Sequence, residues 1–263
     1  MNTPFRTSSP GTVTLTALAG IPEVTPHTPL APLIAAALER HALALQDDDV
    51  LIVCQKIVSK SEACYANLAE VEVSTRAREV AARCLKDPRL VEVILRESAE
   101  VIRCEPHVLI VRHRLGLVMA NAGVDQSNVA DSDSRVLLLP RDPDASAARL
   151  RVALSKTLGS SPAVVITDTF GRPWRRGVCG TAIGAAGLVT LWDRRGERDR
   201  FGRELKVTQV AVADGIAAAA TLLMGEAAEG RPVVFARGLL PAYRHETARA
   251  SDLLRPVAED LFR

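Results

Sequence analysis

The sequence predicts an α+β protein in which mixed, largely antiparallel sheets are flanked by helices. Segments with strand character alternate with segments of helical periodicity along the chain. Some neighbouring strands are separated only by tight turns and others by helices, which is not the order expected of a regular parallel sheet. With 263 residues, 48% of them hydrophobic, the chain is consistent either with one large core or with two interlocked lobes.

Cap residues and periodicity define the predicted elements in the first half of the chain. Ser74 is a favoured N-cap residue, and Asp87 followed by Pro88 is typical of a helix start. In chain order we predict a helix over 33–45, a buried strand over 50–55, helices over 74–85 and 89–102, and a hairpin formed by 108–114 and 115–123.

The second half contains one strongly marked helix and several shorter elements. An acidic start and a terminal glycine predict a helix over 142–159. Residues 171–202 are rich in Gly and Arg without clear periodicity and are predicted to form a long active-site wrap. Within them, GTAIGAAG has the wrong glycine spacing for a dinucleotide-binding turn, and we interpret it as close packing. The other predicted elements are strands over 135–140, 163–169 and 232–240, a helix over 207–227, and a terminal helix over 246–262 that Pro256 interrupts.

The charge balance and the cysteine content exclude several classes of protein. Lys plus Arg number 33 and Asp plus Glu 31, so the net charge of +2 predicts no nucleic-acid and no membrane partner held by bulk attraction. The N-terminal segment lacks the unbroken apolar stretch of a secretory signal, and the alanine-rich run over 210–224 is shorter than the roughly 20 residues that cross a bilayer. We therefore expect a cytoplasmic protein. The cysteines form no C-x-x-C pair and are expected to be reduced, mostly buried thiols.

Two acidic loops are the strongest candidates for a functional site, and the first is ITDTFGRPWRRG. Asp168 and Thr169 end an apolar strand there and are followed by three arginines. Carboxylate and hydroxyl oxygens suit Mg²⁺ or Mn²⁺, and guanidinium groups bind phosphate in bidentate fashion, so the segment is consistent with phosphoryl chemistry. The alternative interpretation is a turn that closes the strand, with the arginines solvated.

The second loop, NAGVDQSN, places Asp125 beside amide and hydroxyl side chains that can ligate a metal or donate directed hydrogen bonds. A polar turn is again the alternative interpretation. Glu226 follows a long apolar helix, where an acid opposes the helix dipole, and this is a mild indication of function. The chain has no G-x-x-x-x-G-K-[ST] phosphate loop, no H-E-x-x-H and no G-x-G-x-x-G after a strand, so the common nucleotide-binding folds are not predicted.

Several longer strings occur in a characteristic order: GIPEV, QKIVSK, KDPRLVEVILRES, NAGVDQSN, LLLPRDPDASA, ITDTFGRPWRRG, FGRELKVT and LLMGEA. In these strings, and over nearly the whole chain, the sequence resembles the coenzyme F420 gamma-glutamyl ligase family. The resemblance implies a single ligase domain over residues 1–263, two interlocked lobes and an intertwined homodimer. Related actinobacterial proteins carry an additional C-terminal flavin-reductase-like domain, for which this chain leaves no room, so we expect no reductase activity.

The resemblance also implies an activity and a set of site residues. It implies a GTP-dependent ligase that joins L-glutamate to coenzyme F420-0 through an amide, with Mg²⁺ or Mn²⁺ at two sites and assistance from K⁺. The implied metal ligands are Asp125, Asp168, Thr169 and Glu226. The implied GTP contacts are Ile21, Pro22, Glu23, Val24, Gln55, Lys56, Lys60, Asn128, Met224, Gly225, Glu226, Ala227, Ala228, Glu229, Gly230 and Arg231. Gln55 and Lys56 occupy a stretch in which other members of the family carry small hydroxyl residues.

Amide formation from a carboxylate needs an activated intermediate such as an acyl phosphate, for which GTP supplies the phosphoryl group. We expect Asp168 to act in catalysis through the metal and Lys60 to act as a point charge. Candidates for binding the coenzyme's phosphate or the departing phosphate are Arg172, Arg175 and Arg176. No histidine lies inside a matched string, so no general base is predicted. The competing hypotheses are a metal-dependent phosphohydrolase or kinase that acts on another acid, and a nucleotide-binding regulatory protein without turnover.

Overall fold

The computed structural model describes residues 11–129, 134–239 and 247–260, and it confirms the predicted α+β class with mixed and antiparallel sheets and flanking helices. In chain order the elements are β1 (Thr14–Ala17), α1 (Leu30–Arg40), β2 (Val50–Cys54), α2 (Gln55–Ser61), β3 (Tyr65–Asn67), α3 (Thr75–Cys84), α4 (Pro88–Arg96), β4 (Ser98–Glu105), β5 (Val108–His113), β6 (Val118–Ala120), β7 (Arg135–Leu137), α5 (Pro143–Leu158), β8 (Ala163–Arg172), β9 (Arg175–Ala186), β10 (Leu191–Asp193), β11 (Gln209–Ala211), α6 (Val212–Met224) and β12 (Val233–Arg237). The two interlocked lobes and the intertwined dimer stay predictions.

The largest sheet has five strands in the order β1-β12-β2-β8-β9. β2 and β8 are parallel neighbours, with Cys54 level with Thr167, whereas all other pairs in this sheet are antiparallel. Because β2 and β8 run in the same direction, their carboxyl ends lie at the same end of the sheet. The residues that follow Cys54 and Thr167 in the sequence are therefore brought together.

Helices cover both faces of this sheet, and successive side chains of β2 alternate between them. Leu51 and Val53 pack with α1 and α5, while Val50 and Ile52 pack with α6. All four side chains are buried. A strand that is covered on both faces needs such a continuous apolar run, which is why VLIVC could be predicted as a buried strand.

A three-stranded antiparallel sheet, β4-β5-β6, packs against α3 and α4 over a separate apolar core. The predicted hairpin of β5 and β6 is confirmed. The predicted helix over 89–102 is wrong in its second half, because α4 ends at Arg96 and Ser98–Glu105 forms β4. The backbone of β4 pairs with β5 along its length, so tertiary pairing prevails over the helical spacing of its apolar residues.

The predicted helix caps are confirmed. The side-chain oxygens of Ser74, Asp87 and Asp142 accept hydrogen bonds from backbone N–H groups in the first turns of α3, α4 and α5. Gly159 ends α5 in the left-handed region, with φ of 76°. Each cap satisfies backbone groups that the helix itself leaves unpaired, so these boundaries are set locally and can be read from the sequence.

The prediction of an irregular wrap over 171–202 is wrong. Most of its first half belongs to β9, which pairs antiparallel with β8, and Leu191–Asp193 forms β10. The strand β9 could not be recognised from the sequence because its glycines resemble those of a loop. In the structure they allow two helices to pack closely against the strand. A Cβ atom on Gly180 would lie 2.5 Å from the Ala217 carbonyl oxygen of α6, and one on Gly184 would lie 2.3 Å from the Pro143 carbonyl oxygen of α5. The interpretation of GTAIGAAG as close packing is thereby confirmed.

Several smaller predictions also differ from the structure. The sequence did not predict β1, α2, β3 or β11, and the start of the helix predicted over 207–227 is the short strand β11. The predicted terminal helix is wrong over its described part, 247–260, which contains two 3₁₀ turns, Ala250–Leu253 and Val257–Glu259, on either side of Pro256. Residues 240, 246, 261 and 262 of the predicted terminal elements lie outside the described residues. In the described ranges, no helix has the length and hydropathy that a bilayer crossing requires.

The five cysteines are unpaired, in agreement with the expectation of free thiols. Only Cys84 and Cys104 are buried, whereas Cys54, Cys64 and Cys179 are partly exposed, so the prediction that most of them are buried is wrong.

A buried carboxylate, Asp49, ties the start of β2 to the end of β12. Its two oxygens accept bidentate hydrogen bonds from Nε and Nη2 of Arg237, at 2.8 and 2.7 Å. Asp49 is only 2% exposed, so its charge depends on this partner. We expect Arg237→Met to lower the free energy of unfolding by about 2 kcal/mol, measured by urea denaturation, because the carboxylate loses its charged donors.

The matched control is Arg195→Met, which breaks the exposed pair with Asp193. This change is expected to alter the free energy of unfolding by less than about 0.5 kcal/mol, since exposed ion pairs contribute little. Equal effects of the two substitutions would contradict the role assigned to Asp49.

Candidate active site

A cavity of about 340 Å³ opens at the carboxyl end of β2, beside the middle of β8. Its wall is completed by residues 21–24 and by the loop 225–231 that follows α6. Sequence-predicted residues that line it are Ile21, Pro22, Glu23, Val24, Lys56, Lys60, Asn128, Asp168, Thr169, Met224, Gly225, Glu226, Ala227, Ala228, Glu229, Gly230 and Arg231. Of the predicted metal and nucleotide residues, only Gln55 and Asp125 are outside this lining.

Asp168 lies on β8 immediately beyond the level at which β2 ends. The backbone N–H of Thr169 donates a hydrogen bond of 2.9 Å to its Oδ1 atom. The pKa of Asp168 is raised to about 6, chiefly by burial and to a smaller extent by the charges of Asp125 and Glu226, while the Thr169 N–H and the ammonium of Lys56 act in the opposite direction. The cavity therefore concentrates negative charge that a cation can stabilise.

Glu226 approaches Asp168 from the loop that follows α6. The hydroxyl of Thr169 donates a hydrogen bond of 3.1 Å to Oε2 of Glu226, which joins this loop to β8. The next peptide is held on both sides, because Asn128 donates to the Ala227 carbonyl oxygen at 3.1 Å and Glu229 accepts from the Ala227 N–H at 2.9 Å. The loop thus has a fixed position at the cavity wall.

Asp125 lies at the edge of the cavity, held by backbone pairing with Leu137 in β7. Its carboxylate forms an ion pair with Lys56, which lines the cavity. Burial alone would raise the pKa of Asp125, but hydrogen bonds from Lys56 and from the Ser127 N–H hold it below its usual range. Asp125 is therefore a carboxylate that is charged and already paired.

Helix α2 presents two different faces to its surroundings. Lys56 and Lys60, four residues apart, both face the cavity, and Lys60 forms an ion pair with Glu23. Gln55, on another face, is 1% exposed and donates from its side-chain amide to Ser59 Oγ at 2.6 Å and to the Leu138 carbonyl oxygen at 3.3 Å. The structure thus places the Gln55 side chain beneath the cavity, where it supports α2.

The sequence missed five residues that also line the cavity: Cys54, Ile57, Thr167, Thr221 and Pro232. Cys54 and Thr167 immediately precede Gln55 and Asp168, so their positions at the ends of apolar strands were an available signal. Burial raises the pKa of the Cys54 thiol to about 11, and this thiol is therefore protonated at neutral pH. Ile57 and Thr221 lie on helices; Ile57 is part of the string QKIVSK, whereas Thr221 belongs to none of the quoted strings.

The three arginines of ITDTFGRPWRRG lie outside the lining of this cavity. Arg172 and Arg175 are at the end of the β8–β9 hairpin, where Arg172 donates to the Arg176 carbonyl oxygen at 3.2 Å. Their assignment to phosphate stays a prediction. A second, larger cavity of about 680 Å³ lies between β9, the start of α5 and residues 247–254, and its lining includes none of the predicted site residues.

The family model for F420-0:Gamma-glutamyl ligase matches residues 20–238. The matched segment contains every residue that lines the smaller cavity, from Ile21 to Pro232. The chain belongs to this family.

Relatives of this F420-0:gamma-glutamyl ligase family member support the assignment over most of the chain. Proteins named coenzyme F420:L-glutamate ligase are 44% identical in Methanothermobacter thermautotrophicus, over 95% of this chain and 99% of the relative, and 48% identical in Methanopyrus kandleri, over 92% and 94%. The Archaeoglobus fulgidus protein of the same name is 42% identical over 93% of this chain and 94% of the relative. The family resemblance noted in the sequence is confirmed.

The cavity of this ligase family member fits a divalent metal in its chemistry. Asp168 and Glu226 offer carboxylate oxygens, and Thr169 links them, because its backbone N–H donates to Asp168 and its hydroxyl donates to Glu226. In the part of the chain that the structure describes, no group of three His, Cys, Asp or Glu side chains is arranged to hold a metal by itself. Mg²⁺ usually binds through one or two carboxylates, with waters and substrate phosphates completing its shell, so a two-carboxylate set suits a metal shared with a nucleotide.

Proposed function

We propose that this chain is a GTP-dependent ligase that joins L-glutamate to coenzyme F420-0 by an amide bond and can add further gamma-linked glutamates. The names of its relatives support coenzyme F420 and L-glutamate as the two substrates that are joined. The observation that supports nucleotide chemistry is the meeting of Asp168 and Glu226 with Lys56 and Lys60 in one cavity. Acids that can share a metal, beside ammonium groups, are the combination that phosphoryl transfer requires.

The proposed reaction has two steps. A carboxylate oxygen of F420-0 attacks the terminal phosphorus of GTP, so that GDP leaves and an acyl phosphate forms. The amine nitrogen of glutamate then attacks the acyl carbon, phosphate leaves with the electrons of the C–O bond, and the nitrogen loses its proton. Lys60 is proposed to stabilise negative charge on the phosphates as a point charge from α2.

Asp168, Glu226 and Thr169 are proposed to hold Mg²⁺ or Mn²⁺, and the carboxylate of Asp125 belongs to the same acidic cluster. When bound, the metal neutralises charge on the phosphates during transfer. The loop 225–231 and residues 21–24 are proposed to contact GTP, which is supported by their position in the wall of the cavity. Assistance by K⁺ is part of the same proposal.

We also propose a cytoplasmic homodimer. Large apolar side chains are exposed on the described surface, among them Trp174 at 89% and Leu222 at 86%. Trp174 lies at the end of the β8–β9 hairpin, and a second copy of the chain that packs there would bury it. Sedimentation velocity measures the oligomeric state directly.

A single reaction tests the proposed activity. The purified protein is incubated with F420-0, GTP, Mn²⁺ and L-glutamate, and mass spectrometry follows the deazaflavin while chromatography follows GDP. We expect a mass increase of one or more glutamate residues, with one GDP released for each, and neither product without glutamate.

The same experiment separates the alternatives. GTP turnover without an amide product would indicate a phosphohydrolase or a kinase that acts on another acid. GTP binding without any turnover would indicate a regulatory nucleotide-binding protein. Either result contradicts the proposed ligase.

A further inference from the structure

We infer that the ammonium group of Lys56 serves as the cation of Asp125 in this chain, so that the site binds one divalent metal ion, at Asp168 and Glu226, and not two. The inference rests on the proposed metal and nucleotide chemistry and deepens it. It gives Lys56 a specific partner, whereas the proposed function counts Lys56 only as one of the ammonium groups of the cavity.

The hydrogen bonds of Lys56 carry the argument. Its Nζ atom forms an ion pair with Oδ2 of Asp125 and donates to Oγ of Ser127 at 2.8 Å and to the Ser127 carbonyl oxygen at 3.3 Å. An ammonium group has three donors, and three oxygens of one loop accept them here. The loop thus surrounds the ammonium group with oxygens, as it would surround a small metal ion.

The other oxygen of Asp125 is also occupied. Its Oδ1 atom accepts a hydrogen bond of 2.7 Å from the Ser127 N–H, and the backbone of Asp125 is fixed by its pairing with Leu137. A metal ion at this carboxylate would have to displace Lys56 from three acceptors. It would also place a double positive charge beside an ammonium group that is only partly exposed, and the two would repel each other.

The charges of the cluster agree with a single metal. Asp125, Asp168 and Glu226 contribute three negative charges, and Lys56 offsets one of them, which leaves the charge that one divalent ion neutralises. Lys60 does not change this balance, because it is paired with Glu23. The charges of Lys56, Asp125 and Glu226 all act on Asp168, so the four groups form one electrostatic unit.

The position of Lys56 in α2 is unfavourable without this role. It lies in the first turn of the helix, where the N–H groups point outward and a positive charge is disfavoured. Asp125 and Ser127 provide the compensating negative charge and acceptors.

Counting bound metal tests the inference without reference to activity. Mn²⁺ is titrated into the metal-free full-length protein with saturating GDP, and free Mn²⁺ is measured by electron paramagnetic resonance. We expect one Mn²⁺ per chain in the wild type and two in Lys56→Ser, in which Asp125 becomes free to ligate. The matched control is Lys156→Ser on the exposed surface of α5, which should keep one.

A second pair of variants keeps the test decisive if Lys56→Ser does not fold. Asp125→Asn should still bind one Mn²⁺, because Asp125 is not a ligand of the single ion, whereas Asp168→Asn removes a ligand and should bind Mn²⁺ at least about tenfold more weakly. Two Mn²⁺ ions in the wild type, or a folded Lys56→Ser that still binds one, would overturn the inference and leave the proposed function intact. A wild type that binds no Mn²⁺ with GDP would overturn the proposed metal chemistry itself.

Discussion

Asp168→Asn is expected to lower the rate of glutamate-dependent GDP release about 1,000-fold, equivalent to about 4 kcal/mol of transition-state stabilisation. Asp168 is the carboxylate that lies deepest among the charges of the cavity, with Lys56, Asp125 and Glu226 all acting on it. Asparagine keeps its shape and can still accept the hydrogen bond from the Thr169 N–H. The loss therefore measures the contribution of the negative charge, and GDP chromatography at saturating substrates records it.

We expect Asp168→Asn to stay folded, because burial raises the pKa of Asp168 and so disfavours its charged form. The pKa of Asp168 is raised to about 6, chiefly by burial, so the folded protein favours the protonated form of this side chain. The stability that protonated Asp168 contributes to the metal-free protein is therefore fully present at low pH and is lost as the pH rises through about 6. A neutral amide should therefore not lower the free energy of unfolding at pH 7. The control Asp193→Asn, at the exposed last residue of β10, should leave the rate unchanged. A folded Asp168→Asn with the wild-type rate would refute the assigned role.

Local chemistry accounts for the parts of the fold that could be predicted. The starts of α3, α4 and α5 are set by Ser74, Asp87 and Asp142, whose side chains bond to the adjacent helix turn. Strand β4 could not be predicted in the same way, because its sequence has helical spacing and only the pairing with β5 makes it a strand. Strand β9 was concealed for the opposite reason, since its small residues reflect the helices packed on both faces of the strand.

In the candidate site, too, some residues could be predicted from the local sequence and others depend on contacts between distant segments. Asp125 and Asp168 stood out as acids after apolar strands, and the family resemblance linked them to Glu226. The pairing of Lys56 with Asp125 joins positions 69 residues apart and leaves no local trace in the sequence. The different orientations of Gln55 and Lys56 follow from α2, which the sequence did not predict. Recognition of that helix would have placed Lys56 and Lys60 on one face.

Gly184→Ala is expected to lower the free energy of unfolding by about 3 kcal/mol, the upper part of the usual range for overpacking. The added methyl group would lie 2.3 Å from the carbonyl oxygen and 2.8 Å from the Cβ atom of Pro143, at the start of α5. These are atoms of a backbone and a rigid ring, so neither a rotamer change nor a small side-chain movement can relieve the overlap. Helix α5 must move away from β9, which also disturbs the sheet that supports Asp168.

The matched control is Gly215→Ala in α6, because a Cβ atom at Gly215 meets nothing within 4 Å. Alanine there should raise the free energy of unfolding by about 0.5–1 kcal/mol, since it restricts the unfolded chain and favours the helix. Urea denaturation of both variants gives opposite signs if the close approach of β9 to α5 is real. A Gly184→Ala protein as stable as the wild type would show instead that β9 and α5 are farther apart than in the structure. The methyl group at position 184 would then lie in open space, as the methyl group at position 215 does.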